Sequence, residues 1–193
     1  MASGATVNQN RILQLDVQGV PQSWVSPERA AGYYATGDVV WTVGETFMTM
    51  RGGINAASGV QSCIDLAPII AVNGCASVNL FDIIPTLTNR KLFARDRSVC
   101  AYCGGVFKHE DLTREHIHPR SRGGHDNWQS VVSACRGCNN LKADRFPHEA
   151  GMTLLYAPYV PSLYEDFILS SRHIRADVME WLLARVPKGS RLI

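Results

Sequence analysis

Hydrophobic and polar positions along the chain follow two periods. Ile12-Leu-Gln-Leu-Asp16 alternates as a strand does, and Asp38-Val-Val-Trp-Thr-Val43 and Thr46-Phe-Met-Thr-Met50 read as further strands. Ser26-Pro-Glu-Arg29 has the grammar of a helix start. Ser sits at the cap, Pro at the first helical position and an acid in the first turn. That helix is expected to end near Gly37. Gly52-Gly53 and Asn73-Gly74 are expected to be turns. From Ser171 to Val186 the apolar residues Ile174, Val178, Trp181 and Leu182 recur at helical spacing. Leu112–Ile117 is expected to be a strand, Pro119–Gly124 a turn, and the segment opening at Asn139 a helix.

These patterns divide the chain into a flexible tail (1–10), an N-terminal α+β unit (11–88), a distinct central segment (89–150) and a C-terminal helical extension (151–193). The expected fold class is α+β. The chain of 193 residues is 46% hydrophobic and 19% charged, so it can bury a core and is neither a disordered nor a collagen-like sequence. The longest apolar run, Ala67–Val72, falls far short of the roughly 18 residues of a membrane span. The first ten residues show no basic region followed by an apolar stretch, so no secretory signal and a cytoplasmic location are expected. The net charge is only +2. Its distribution says more: Lys and Arg outnumber Asp and Glu in 89–150, whereas the acids predominate elsewhere. Arg90, Lys91, Arg95 and Arg97 read either as a solvated helix face or as phosphate contacts.

The same segment holds four of the six cysteines, as Cys100-Ala-Tyr-Cys103 and Cys135-Arg-Gly-Cys138. Two such pairs in a reducing compartment point to a metal rather than to disulfides. Each tight knuckle supplies two soft ligands, and two knuckles complete the tetrahedral set of a structural Zn²⁺. Cys63 and Cys75 stand apart and read as small buried residues, and Trp24, Trp41, Trp128 and Trp181 as core. Thirty-one residues separate Cys103 from Cys135, more than a simple zinc ribbon needs, so another element is built inside that loop. The loop contains Glu115-His-Ile-His-Pro-Arg-Ser-Arg-Gly-Gly124, and Asn139-Asn-Leu-Lys-Ala-Asp-Arg145 follows the second knuckle. A carboxylate and an amide oxygen suit a hard divalent ion, and a neighbouring imidazole suits a general base acting on water.

On these motifs, the segment from Leu92 to Arg145 resembles the HNH endonuclease family, in its four-cysteine branch with a ββα-metal (treble-clef) finger. The flanks resemble a group of stand-alone bacterial and phage members, through the opening Ile12–Ala31 and through Glu149-Ala-Gly-Met152. The resemblance implies a DNA endonuclease or nickase that leaves a 5′-phosphate and a 3′-hydroxyl. His116 would be the general base. Glu115 and Asn139 would hold one catalytic Mg²⁺ or Mn²⁺, and Cys100, Cys103, Cys135 and Cys138 a separate structural zinc. Arg120, Arg122, Lys142 and Arg145 are the expected phosphate contacts, with His118 packing beside the turn at Pro119.

Three departures stand out. Glu115 replaces the usual Asp before the base. Asn139 gives an HNN-type ending. Ser130 occupies the position of the middle asparagine, whose role in the family is to brace the loop and orient the base; Asn127 lies three residues earlier. A catalytically degenerate, zinc-stapled nucleic-acid-binding module is therefore the alternative to a nuclease. A homodimer, which would convert two nicks into a double-strand break, is left open.

Overall fold

The computed structural model describes residues 10–74 and 83–193. Both the expected tail and Cys75 lie outside the described residues, apart from Asn10. The chain forms two compact units. The first comprises residues 1–80 and 171–185, and the second 81–170 and 186–193.

In the first unit, β1 (Ile12–Leu15) and β6 (Ile69–Val72) are buried at every position and lie side by side in parallel. Continuous burial explains why their apolar residues run on without strict alternation. β2 (Pro21–Val25) and β3 (Val39–Val43) flank them antiparallel, giving the order β2-β1-β6-β3. α1 (Pro27–Thr36) begins and ends where its sequence indicates. The Ser26 hydroxyl accepts from Arg29 N–H, Pro27 takes the first helical position, and Gly37 closes the helix at φ +76°, a conformation glycine enters at no steric cost. Ile12, Val25, Ala30, Leu66, Ile70 and Val72 form the core of this unit.

A hairpin of β4 (Met48–Ile54) and β5 (Gln61–Leu66) differs from the expectation. Gly52-Gly53 lie inside β4. The chain reverses at Asn55–Val60, where the Asn55 side chain accepts from Ala57 and Ser58 N–H, the geometry of an Asx turn. Cys63 is exposed on β5, not buried. The helical spacing from Ser171 to Val186 yields a shorter helix, α5 (Ala176–Leu183). Trp24, Trp41 and Trp181 are half-buried, and Trp128 is the tryptophan that enters a core.

The second unit carries the finger. α2 (Asn89–Arg95) is capped by the Thr88 hydroxyl and presents Leu92 and Phe93 to Leu112, Trp128 and Val131. β7 (Leu112–His116) and β8 (Val131–Cys135) pair antiparallel, with Leu112 opposite Cys135 and His116 opposite Val131. α3 (Arg136–Lys142) follows without a loop. It begins three residues before Asn139, because Cys135 itself is the cap: its Sγ accepts from Cys138 N–H. A further helix, α4 (Leu163–Ser170), is not signalled by the sequence pattern.

Arg95 is neither solvated nor a phosphate contact. It is fully buried, as is Asp96. Its Nε and Nη2 bind the Asp96 carboxylate, and its remaining hydrogens go to the carbonyls of Trp128, Val131 and Tyr159. Asp96 also accepts from Ser133 N–H at 2.7 Å. The Trp128 and Tyr159 rings lie 5.4 and 5.5 Å from the guanidinium carbon. Removing one member of such a pair leaves a buried charge unmatched, at about 3–5 kcal/mol. Arg95→Ala and Asp96→Ala are accordingly expected each to lower unfolding free energy by about that amount in urea titrations, and the double variant to lose much less than the sum of the two.

Candidate functional site

The metal centre starts from two tight turns. Val99 and Val106 pair across the first, and Gly104 N–H donates to Cys100 O at 3.0 Å. Ala101 stitches this knuckle to the finger: its N–H donates to Ser133 O on β8, and its carbonyl accepts from Leu155 N–H. The second knuckle is the β8–α3 junction. Together they bring the sulfurs of Cys100, Cys103, Cys135 and Cys138 within 4.8 Å of one another. Zinc–sulfur bonds of about 2.3 Å place tetrahedral sulfurs roughly 3.8 Å apart, so four thiolates at this separation fit the ion with small adjustments. Among the described His, Cys, Asp and Glu residues, this group of four is the metal-ligand cluster. Burial opposes ionisation of Cys100, yet the amide N–H groups of Cys103, Cys135 and Tyr102 hold its thiol below the ordinary range. Burial and neighbouring sulfurs push Cys138 up. A divalent cation at the centre removes that conflict by stabilising all four thiolates.

The strand β7 then sorts the remaining chemistry onto two faces, because successive side chains of a strand point opposite ways. Thr113 and Glu115 meet α3. Glu115 is 3% exposed, and its Oε1 is paired with Lys142 Nζ at 2.6 Å and receives the Tyr102 hydroxyl at 3.5 Å. Burial raises the Glu115 pKa, and the Lys142 ammonium works against that rise. Tyr102 is raised too, by burial first and then by the Glu115 charge, so its hydroxyl stays a donor. Among the described residues Oε2 of Glu115 has no protein partner.

Asn139 is oriented by elimination. The Thr113 hydroxyl has one hydrogen, and it goes to Ala134 O at 3.0 Å. Toward Asn139 it can therefore only accept, and Asn139 Nδ2 donates to it at 2.8 Å. The amide oxygen is turned away from that bond and has no partner among the described residues. Two hard oxygens, Glu115 Oε2 and Asn139 Oδ1, thus remain for a divalent cation, and this donor set fits Mg²⁺ or Mn²⁺.

Arg114 and His116 project from the other face. His116 Nε2 lies 2.9 Å from Asp126 Oδ1, and Arg114 Nη1 lies 2.6 Å from Asp126 Oδ2. Arg114 is itself held by Asn89 Oδ1 at 2.8 Å. Slight burial raises the Asp126 pKa, but Arg114 and His116 outweigh it and hold the carboxyl below its usual range. Asp126 lies in the His125-Asp-Asn127 stretch of the same loop, where nothing in the neighbouring sequence distinguishes it from an ordinary loop acid.

The loop between β7 and β8 is shaped by a close approach. A side chain at Gly124 would place its Cβ 1.9 Å from His118 O, so this position admits only glycine. Ser130 O accepts from Ile117 N–H, and Asn127 Oδ1 accepts from Gln129 N–H. Both residues shape the loop through these local bonds, and neither makes a hydrogen bond to His116. His118 packs against Phe146, with ring centroids 4.9 Å apart, and bonds Arg122 O.

The four cationic residues expected at phosphates have different surroundings. Lys142 is buried on Glu115, because a carboxylate in that setting needs a counter-charge. Arg145 turns back to the carbonyls of Leu141 and Lys142, capping the end of α3. Arg122 pairs with Glu149 at 2.8 Å. Arg120 is exposed and has no ion-pair or hydrogen-bond partner for its side chain among the described residues.

Residues 100–155 match the family model described as HNH endonuclease. No curated protein matches the chain. No helix among the described residues is long and apolar enough to cross a membrane.

The metal centre makes a direct expectation. The purified protein should hold about one zinc per chain by mass spectrometry of the metal. Cys135→Ser should lower that content, and it should destabilise the second unit through the lost zinc ligand, since the serine hydroxyl can still cap α3.

Proposed function

We propose that the HNH endonuclease domain of this chain hydrolyses phosphodiester bonds in DNA, with His116 as general base. The observation that carries this reading is the adjacency of Glu115 and His116 at the end of β7, with Asn139 of α3 bonded to Thr113 of the same strand. An imidazole held by a carboxylate stands on one face, and two cation-suited oxygens stand on the other. The match over residues 100–155 supports it.

In this reading, a water proton passes to His116 as the oxygen attacks phosphorus. The P–O3′ bond breaks, and the departing 3′ oxygen acquires a proton from solvent. The products are a 5′-phosphate and a 3′-hydroxyl. Glu115 and Asn139 would hold the divalent cation, which supplies charge neutralisation at the phosphate. Tyr102 and Lys142 hold the Glu115 carboxylate in place from its Oε1 side, leaving Oε2 for the cation. Arg120 is the cationic side chain best able to engage the DNA backbone, and Arg122 would do so at the expense of its pair with Glu149. The four cysteines take no part in proton transfer; they fix the knuckles that set β8 and α3.

The test is relaxation of supercoiled plasmid in Mg²⁺ or Mn²⁺ beside His116→Ala. Wild type is expected to nick or linearise the plasmid. The variant should lose on the order of 10²–10⁴ in rate, the usual contribution of a general base, while keeping its zinc and its circular dichroism. Equal cutting by the variant would remove His116 from the mechanism. A zinc-loaded, folded wild type that leaves plasmid DNA intact would favour the catalytically degenerate binding module. Arg120→Ala is expected to weaken DNA binding and to reduce its dependence on salt, read by fluorescence anisotropy across a NaCl series.

A further inference from the structure

We propose that Asp126 is the positioning residue of the general base, fixing the tautomer and ring orientation of His116 in place of the middle asparagine that this chain lacks. This inference rests on the nuclease reading and assigns a residue to that same site.

The geometry begins at the carboxylate. Its two oxygens are divided between two partners: Oδ1 faces His116 Nε2 at 2.9 Å, and Oδ2 faces Arg114 Nη1 at 2.6 Å. Arg114 is anchored in turn through Nε to Asn89 Oδ1. Asp126 therefore cannot rotate about its own axis without losing one strong contact or the other. An ionised carboxylate only accepts hydrogen bonds, so Nε2 of the neutral imidazole must carry the hydrogen. The lone pair is then on Nδ1, and Nδ1 is the atom that receives the proton from water. An orienting partner on one ring nitrogen defines the work of the other.

The other residues of the loop leave this role open. Ser130, at the position of the family's asparagine, uses its carbonyl on Ile117 N–H. Asn127 uses its amide oxygen on Gln129 N–H. Asp126 is the loop residue that makes a hydrogen bond to the base. Arg114 matters here because it precedes His116 by two positions on β7 and so shares its face. One strand thus supplies both the base and the cation that fixes the base's partner.

The experiment combines kinetics with a direct reading of the ring, on the full chain. In wild type, ¹⁵N–¹H long-range correlation spectra of histidine-labelled protein should report His116 as the Nε2–H tautomer, its signals identified by their loss in His116→Gln. Asp126→Ala should convert that signal to a mixture of tautomers. It should also lower kcat for plasmid nicking roughly 10- to 100-fold, less than the full loss of a general base, with KM within about twofold. Added formate should restore part of the rate by replacing the missing carboxylate. Should Asp126→Ala misfold, Asp126→Leu carries the same test, since it keeps most of the volume and offers Nε2 no acceptor. Nicking at the wild-type rate, or an unchanged Nε2–H tautomer in a folded variant, would overturn the proposal. A wild type that cuts nothing would sink the nuclease reading, and the tautomer shift would then decide the Asp126–His116 coupling independently.

Discussion

The buried pair of Arg95 and Asp96 sets the frame on which the finger is built. Two charges removed from water are tolerable only when nearly every donor and acceptor is used, and here the guanidinium and the carboxylate both are. The partners come from widely separated places: the end of α2, the loop before β8, β8 itself and Tyr159. Satisfying one side chain therefore fixes four segments at once. The turn immediately after the pair is a consequence. Arg97 and Ser98 both sit at positive φ, +58° and +57°, which non-glycine residues adopt at a cost. The well-anchored Asp96 holds that turn, and the turn delivers the chain into the first knuckle at Cys100. Ser133, bonded to Asp96 through its N–H, also accepts from Ala101, so the same network locates both knuckles.

From that frame, the separation of roles at the site follows from strand geometry. Adjacent residues Glu115 and His116 face opposite sides of β7, so their side chains have separate sets of hydrogen-bond partners. Glu115 goes to the α3 side, where burial disfavours its charged form and calls for a counter-charge. Lys142 provides one from the end of α3. His116 goes to the open side, where Asp126 and Arg114 reach it from the loop and from the strand. The helix register matters as much. Because Cys135 caps α3, Asn139 falls one turn inside the helix, where Thr113 can fix its amide.

What the sequence made readable is what short spacing encodes. The two knuckles, the Glu115-His116 step, the helix over Pro27–Thr36 and the strands β1, β3 and β7 all depend on neighbours within a few residues. The less readable features depend on partners far along the chain. Arg95 and Lys142 look like surface cations in a basic segment, and only the fold shows each enclosed with an acid. Asp126 reads as an ordinary loop acid until β7 brings Arg114 and His116 beside it. The hairpin turn falls beyond the position its composition predicts, for a related reason. Gly52-Gly53 has stronger turn composition than Asn55–Gly59, but the Asn55 side chain decides by bonding two backbone N–H groups that glycine cannot satisfy. In α4, Glu165 is buried against the Tyr159 hydroxyl and Ser162 N–H, and the adjacent acids Glu165 and Asp166 interrupt the apolar pattern of the helix.

The loop from Ile117 to Ser130 shows how the path of a loop can be fixed without a bracing side chain at position 130. Its path is set by backbone: Gly124 N–H closes onto Pro119 O, no side chain fits at Gly124, and Ile117 pairs with Ser130. Trp128 pins the far end, its indole N–H on Pro85 O and its carbonyl on Arg95. With the path fixed by these bonds, position 130 no longer has to brace the loop through its side chain, and a serine suffices there. The remaining duty, holding the imidazole, needs only an acceptor within reach of β7. Asp126 is placed for it by the same path, and Arg114 keeps it charged. The path of the loop and the hold on the imidazole thus come from different places, the first from backbone bonds and the core, the second from Asp126 and Arg114.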